Sequence, residues 1–131
     1  MTPKRAWIYP QSGVIPLYKG RVVMVTSSGG KRWVLPKGIV EPGMTAAESA
    51  AKEALEEGGI VGKVKSRSVG SYTYEKWDGL CEVEMFVMKV ERLLDEWDEM
   101  DVRDRELVSP EEAVARVKPK ELRRILEGLE L

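Results

Sequence analysis

The sequence predicts an α/β fold with a mixed sheet, and three observations carry that prediction. Short β-rich runs are interspersed with helical ones along the 131 residues instead of being segregated. Hydrophobic residues make up 43% of the chain, enough for one compact core, so a single domain over residues 1–131 without an internal linker is expected. Near Thr45 the pattern changes, from short runs punctuated by Gly and Pro to a stretch rich in Ala, Glu, Lys and Leu.

Taken in order, Gly13 to Tyr18 and Arg21 to Thr26 read as strands joined by a Lys19-Gly20 hairpin turn. Pro16 lacks an amide hydrogen, which places the first run at a sheet edge or a bulge. Arg32 to Leu35 is a short strand stopped by Pro36, and Gly38 to Gly43 reads as a loop. Thr45 followed by Glu48 forms a capping box for a helix that Gly58-Gly59 ends. At about 100° per residue, Ala47, Ala51, Ala54, Leu55 and Gly58 share an arc suited to close packing on a sheet, which leaves Glu53, Glu56 and Glu57 facing outward. Residues 61–69, 71–77 and 80–90 follow as strands, with Trp77-Asp78-Gly79 as a turn. Aromatics within these strands, Trp33, Tyr74 and Trp77, are expected to pack, and Trp97 to be partly exposed. Asp95 to Asp104 is an acidic loop, Arg105 to Val108 a last strand, and Ser109-Pro110 opens a C-terminal helix that Pro119 divides.

Composition narrows the chemistry. Twenty-one Lys+Arg against 22 Asp+Glu leave no basic field for a nucleic acid polymer and no polybasic run for a membrane surface. The opening Met1 to Arg5 lacks the apolar core of a secretory signal, and Cys81 has no second cysteine to pair with, so a cytoplasmic location is expected. No apolar run approaches the about 18 residues of a spanning helix. There is no histidine, which removes Ser-His-Asp and Cys-His nucleophilic machinery and His-ligated zinc. Chemistry must run on carboxylates, Lys, Arg, Tyr or an oxygen-bound metal.

Glu53, Glu56 and Glu57 stand at i, i+3 and i+4 on one helix. Like charges so placed cost a few tenths of a kcal/mol per pair, about 0.2–0.5, unless a cation sits among them. A hard divalent ion such as Mg²⁺, with its demand for oxygen ligands, answers that repulsion. On most helices such a run is simply a solvated face.

The longer string decides otherwise. Gly38 to Ile60 resembles the Nudix box, G-x5-E-x7-R-E-U-x-E-E-x-G-U with U a bulky aliphatic, and Gly38, Glu53, Glu56, Glu57, Gly59 and Ile60 fall in register. The preceding Trp33-Val34-Leu35-Pro36-Lys37 is similar to the family as well. The resemblance implies a Nudix-type α/β/α sandwich and Mg²⁺-dependent pyrophosphohydrolase activity, with Mn²⁺ as a substitute. It assigns both metal ligation and general-base duty to Glu53, Glu56 and Glu57. A further acid from outside the helix is expected, with Glu84 and Glu99 the candidates. Three positions depart: Met44 replaces the first Glu of the box, Lys52 its Arg, and Ala54 is small for a U position. Joint replacement of Glu and Arg reads as a coordinated loss of one supporting ion pair, since losing both partners costs less than losing one.

The tail, from Leu94-Asp95-Glu96-Trp97-Asp98 through Arg103 and Arg105-Glu106 to Ser109-Pro110-Glu111-Glu112-Ala113, resembles the diphosphoinositol polyphosphate and diadenosine polyphosphate phosphohydrolase branch. Substrates rich in phosphate need several cations, and Arg5, Arg21, Arg32 and Lys37, with Gly38 beside them, are the candidate substrate-binding residues. The expected partner is a small phosphorylated molecule, on a monomer or homodimer. Two readings follow: a hydrolase of a nucleoside diphosphate-linked or polyphosphorylated substrate, or a catalytically silent Nudix domain that binds such a ligand.

Overall fold

A computed structural model describes residues 7–129 and 131. In chain order its elements are β1 (Trp7–Tyr18), β2 (Arg21–Thr26), β3 (Trp33–Val34), β4 (Lys37–Ile39), α1 (Ala46–Gly58), β5 (Ile60–Val64), β6 (Gly70–Lys76), β7 (Gly79–Leu93), β8 (Arg105–Val108), α2 (Pro110–Arg116) and α3 (Lys120–Gly128). Strands β3, β2, β1, β7 and β5 form the main path of one sheet, with β4 added to β1, β6 to β7 and β8 to β2. The long central pair, β1 and β7, runs parallel from Trp7↔Gly79 to Leu17↔Lys89, whereas the other pairs are antiparallel, so the sheet is mixed.

Alternation along the central strands feeds both faces. Val14, Val23, Phe86 and Met88 meet Ala50 and Ala54 of α1 on one side. Ile15, Met24, Val83 and Met85 meet Ala113, Val117, Leu122 and Leu126, from α2, α3 and the segment between them, on the other. The result is the expected α/β/α arrangement, and burying each such Val, Ile or Met contributes about 1.5–3 kcal/mol of transfer free energy. The tight turns also form as the sequence suggests. Lys19 and Gly20 (φ 51° and 78°), like Trp77 and Asp78 (φ 55° and 59°), take left-handed conformations. Two such residues between antiparallel strands make the turn whose twist matches a hairpin.

Four expectations are corrected. Pro16 lies in the central strand, fully buried and opposite Met88 of β7. It is tolerated because β1 changes partner there, from β4 at Gln11–Gly13 to β2 at Leu17–Tyr18, so Pro16 pairs with neither strand on that side. The Gly38 loop begins as a strand, β4, because Lys37–Ile39 completes the free side of β1. The buried arc of α1 is rotated from the expected one: Ser49, Ala50, Ala54, Glu57 and Gly58 are buried, while Leu55 is 44% exposed. Trp77, at the tip of the β6–β7 hairpin, is 50% exposed and meets Tyr9 edge-on. No helix among the described residues is long and apolar enough to cross a membrane.

Candidate active site

Helix α1 is fixed at both ends before its acids can matter. Thr45 and Glu48 cap each other's amides at its start. At its end Gly59 turns left-handed (φ 61°), returning its amide to Ala54 and Leu55, and Arg105 Nη1 donates to the Gly58 and Leu94 carbonyls at 2.8 Å each. A side chain at Gly59 would run into Trp97 and Arg105. The acidic loop is sewn onto the same helix end, since the Leu94 amide donates to Gly59 O and the Glu99 amide to Glu56 O.

The rotation of α1 puts two of its acids against the sheet. Glu57 is only 4% exposed. Its carboxyl is pushed up from the ordinary 4.5 to about 9, first by burial, then by a hydrogen bond with Glu53, while Arg103 opposes the shift. Glu53 is half-buried and also raised, by burial first, with Glu56 and Glu99 adding to it. A protonated Glu57 therefore donates to the Glu53 carboxylate. Arg103 stands 3.8 Å from Glu57, too long for a good hydrogen bond, because it is engaged by Glu99 at 2.6 Å and the Thr26 carbonyl at 2.9 Å. Gly38 makes room for this pair: a Cβ there would overlap the Glu53 carboxyl.

The remaining expected residues divide. Glu56 turns aside to Lys52 at 3.3 Å. Lys52 in turn holds Glu41 at 2.6 Å, so the ion pair read as lost with Met44 and Lys52 persists with its acid three residues earlier. Glu99 lies close enough to raise both Glu53 and Glu57. Glu84 instead lines a separate cavity of about 340 Å³ with Gln11, Ser68 and Ser71.

A larger cavity, about 560 Å³, opens on the α2/α3 side of the sheet. Trp33, Leu35, Tyr72, Val117, Pro119 and Leu122 give it apolar walls, and Arg32, Lys37, Arg116, Lys118 and Arg123 supply cations. Lys37 links it to the acids. Its ammonium donates to Tyr74 Oη at 2.8 Å, and Tyr74 donates to Gln11 Oε1 at 2.9 Å. Burial first, then Lys76, lowers the Lys37 pKa, and nearby Glu57 works against that. Of the candidate substrate residues, Arg32 and Lys37 line this cavity, Arg21 sits exposed at the β1–β2 turn away from it, and Arg5 lies outside the described residues. Sequence reasoning missed Arg116, Lys118 and Arg123. Their only signal was a basic repeat around Pro119, and nothing local says that α2 folds back over β2 and α3 over β6.

Among the described residues no three Asp, Glu, His or Cys side chains already stand at metal-ligating spacing. The donor set still fits a hard divalent ion, which binds proteins through one or two carboxylates and completes its shell with water and phosphate oxygens. Glu53 and Glu57 are two neighbouring carboxyls whose pKa values burial raises, so a cation between them would favour their charged forms.

A sequence profile of the NUDIX domain matches residues 10–129. Nudix hydrolase 12, mitochondrial, from Arabidopsis thaliana is 33% identical over 124 residues, covering 88% of this chain and 61% of that protein. Nudix hydrolase 16, mitochondrial, from the same plant is 34% identical over 102 residues, covering 72% of this chain and 56% of that one. Diphosphoinositol polyphosphate phosphohydrolase 2 from Rattus norvegicus is 33% identical over 96 residues, covering 71% and 52%. The chain thus spans between half and two thirds of the length of these relatives. Among solved structures, the Ap4A hydrolase of C. elegans superposes with a TM-score of 0.73 at 18% identity, covering 95% of this chain and 97% of that one, a likeness of fold.

Proposed function

Since the chain belongs to the Nudix domain family, we propose that it is a pyrophosphohydrolase that cleaves a phosphoanhydride bond in a nucleoside diphosphate-linked or polyphosphorylated substrate, such as a diadenosine polyphosphate, with Mg²⁺ or Mn²⁺. The observation that carries this reading is the buried acid pair Glu53 and Glu57 packed against Gly38, next in the chain to Lys37, which lines a cavity with apolar walls and cationic groups. Glu53 and Glu57 would hold the ion, with Glu56 and Glu99 beside them. When bound, the ion neutralises the anhydride oxygens and lowers the pKa of the attacking water. Glu53, Glu56 and Glu57 divide ligation with removal of the water's proton. Lys37 sits where a substrate phosphate would pass from cavity to acids, and Tyr74 and Gln11 keep its ammonium there.

The apolar walls favour a nucleoside over an inositol polyphosphate, because an inositol ring crowded with phosphates offers nothing apolar to Trp33, Leu35 and Leu122. The silent-binder reading rested on Met44 and Lys52, and it loses that support once Lys52 is seen paired with Glu41. A cytoplasmic setting belongs to this reading, on the lone and fully buried Cys81, although several Arabidopsis relatives carry mitochondrial names.

The test is phosphate-product release with Mg²⁺ from diadenosine polyphosphates, nucleotide sugars, nucleoside triphosphates and a diphosphoinositol compound. Turnover of one nucleotide class, lost in Glu57→Gln, is expected. Binding without turnover across the panel would return the silent domain, and preference for the diphosphoinositol compound would overturn the nucleoside assignment.

A further inference from the structure

We propose that Ser12 is a positioning residue for Glu53: its hydroxyl, on β1, lies beside the Glu53 carboxyl and donates to it once a cation is bound, holding the carboxylate in one orientation. This role rests on the reading of Glu53 and Glu57 as the divalent-cation site. Ser12 is fully buried, and among the described residues its Oγ has no hydrogen-bond partner. Buried hydroxyls are nearly always paired, so one left over in the middle of the sheet points to a use outside the fold's own hydrogen bonds. Its neighbours on that face of the strand, Pro10 and Val14, are apolar, and burial alone would be served as well by alanine.

Sheet register gives the place of that hydroxyl. Val14, two residues along β1, packs on Ala50 and Ala54 of α1, so Ser12 projects to the same face. Its partners across the sheet are Gly38 of β4 and Glu84 of β7. Side chains of such partners point the same way, with Cβ atoms about 5 Å apart. Gly38 has no Cβ, and the Glu53 carboxyl fills the place one would take. Glu53 thereby becomes the cross-strand neighbour of Ser12, and a turn about one side-chain bond aims the hydroxyl at it. Glu84, on the other side, lines the smaller cavity with Ser68 and Ser71, whereas Glu53 brings its carboxyl itself down to the sheet. A ligating carboxylate is held in orientation by hydrogen bonds of this kind.

Mn²⁺ affinity, measured by titration calorimetry on the intact protein, and the Tm of the metal-free protein read the effect without requiring turnover. Ser12→Ala is expected to weaken Mn²⁺ binding about tenfold, the low end for groups that orient metal ligands. The metal-free Tm should not fall, because the hydroxyl removed has no hydrogen bond to lose. The same loss of affinity should persist in a Glu84→Gln background, since the acid served is Glu53. Unchanged Mn²⁺ affinity in Ser12→Ala, a metal-free Tm that drops along with the affinity, or a loss that vanishes in the Glu84→Gln background would each overturn the proposal. A wild type that binds Mn²⁺ but hydrolyses no diphosphate would remove the enzymatic reading alone, and the tenfold loss in Ser12→Ala would still uphold this one.

Discussion

The two faces of the sheet treat charge in opposite ways. On the α2/α3 face three cations of the large cavity are already partnered: Arg116 with Glu106 and Glu112, Arg123 with the Val117 carbonyl, Lys37 with Tyr74. On the α1 face, Glu57 is buried with a carboxyl neighbour, and the cation beside it is committed to Glu99. The first face holds most of its buried charge in pairs, whereas the other carries an electrostatic cost that a divalent cation would relieve. Unsatisfied charge in a packed place marks function more sharply than charge that has found its partners.

The comparison breaks first at Glu57. Glu57→Gln should lower turnover by about a hundredfold or more, the scale of a lost base or ligand, in the diphosphate assay. Gly38→Ala comes next. Its Cβ displaces the Glu53 carboxyl, and a misplacement of that kind should cost about ten- to a hundredfold in kcat with little change in Tm. On the other face, Lys37→Met should act mainly on KM, by about tenfold, because it removes a charge-assisted contact and leaves the acids in place.

A gentler probe is pH. A carboxyl raised from 4.5 to about 9 binds a proton in the folded chain that the unfolded chain has released, so its contribution is present below about pH 4.5 and is lost as pH rises toward 9. The metal-free Tm should therefore fall across that window, and Glu57→Gln or added Mn²⁺ should flatten the decline in a thermal-melt series. Smallest of all, Arg21→Ala should leave both activity and Tm near wild type, since Arg21 is exposed and outside the cavity.

What the sequence determined by itself is local. The capping box at Thr45, the left-handed Gly59 and the Ser109-Pro110 helix start form where short-range chemistry puts them, because each depends on residues within a few positions of one another. The acids of α1 were legible for the same reason, as a fixed spacing on one helix. Which way that helix faces was not, because the small residues allow more than one packing arc and only the sheet chose the one that buries Glu57 and exposes Leu55. Tertiary contact likewise decided the buried Pro16, the strand at Gly38, the placing of Glu99 near Glu53 and of Glu84 on a separate cavity, and the pairing of Lys52 with Glu41. Each turns on groups that meet only when separate segments pack, and a one-dimensional pattern carries no distance between segments.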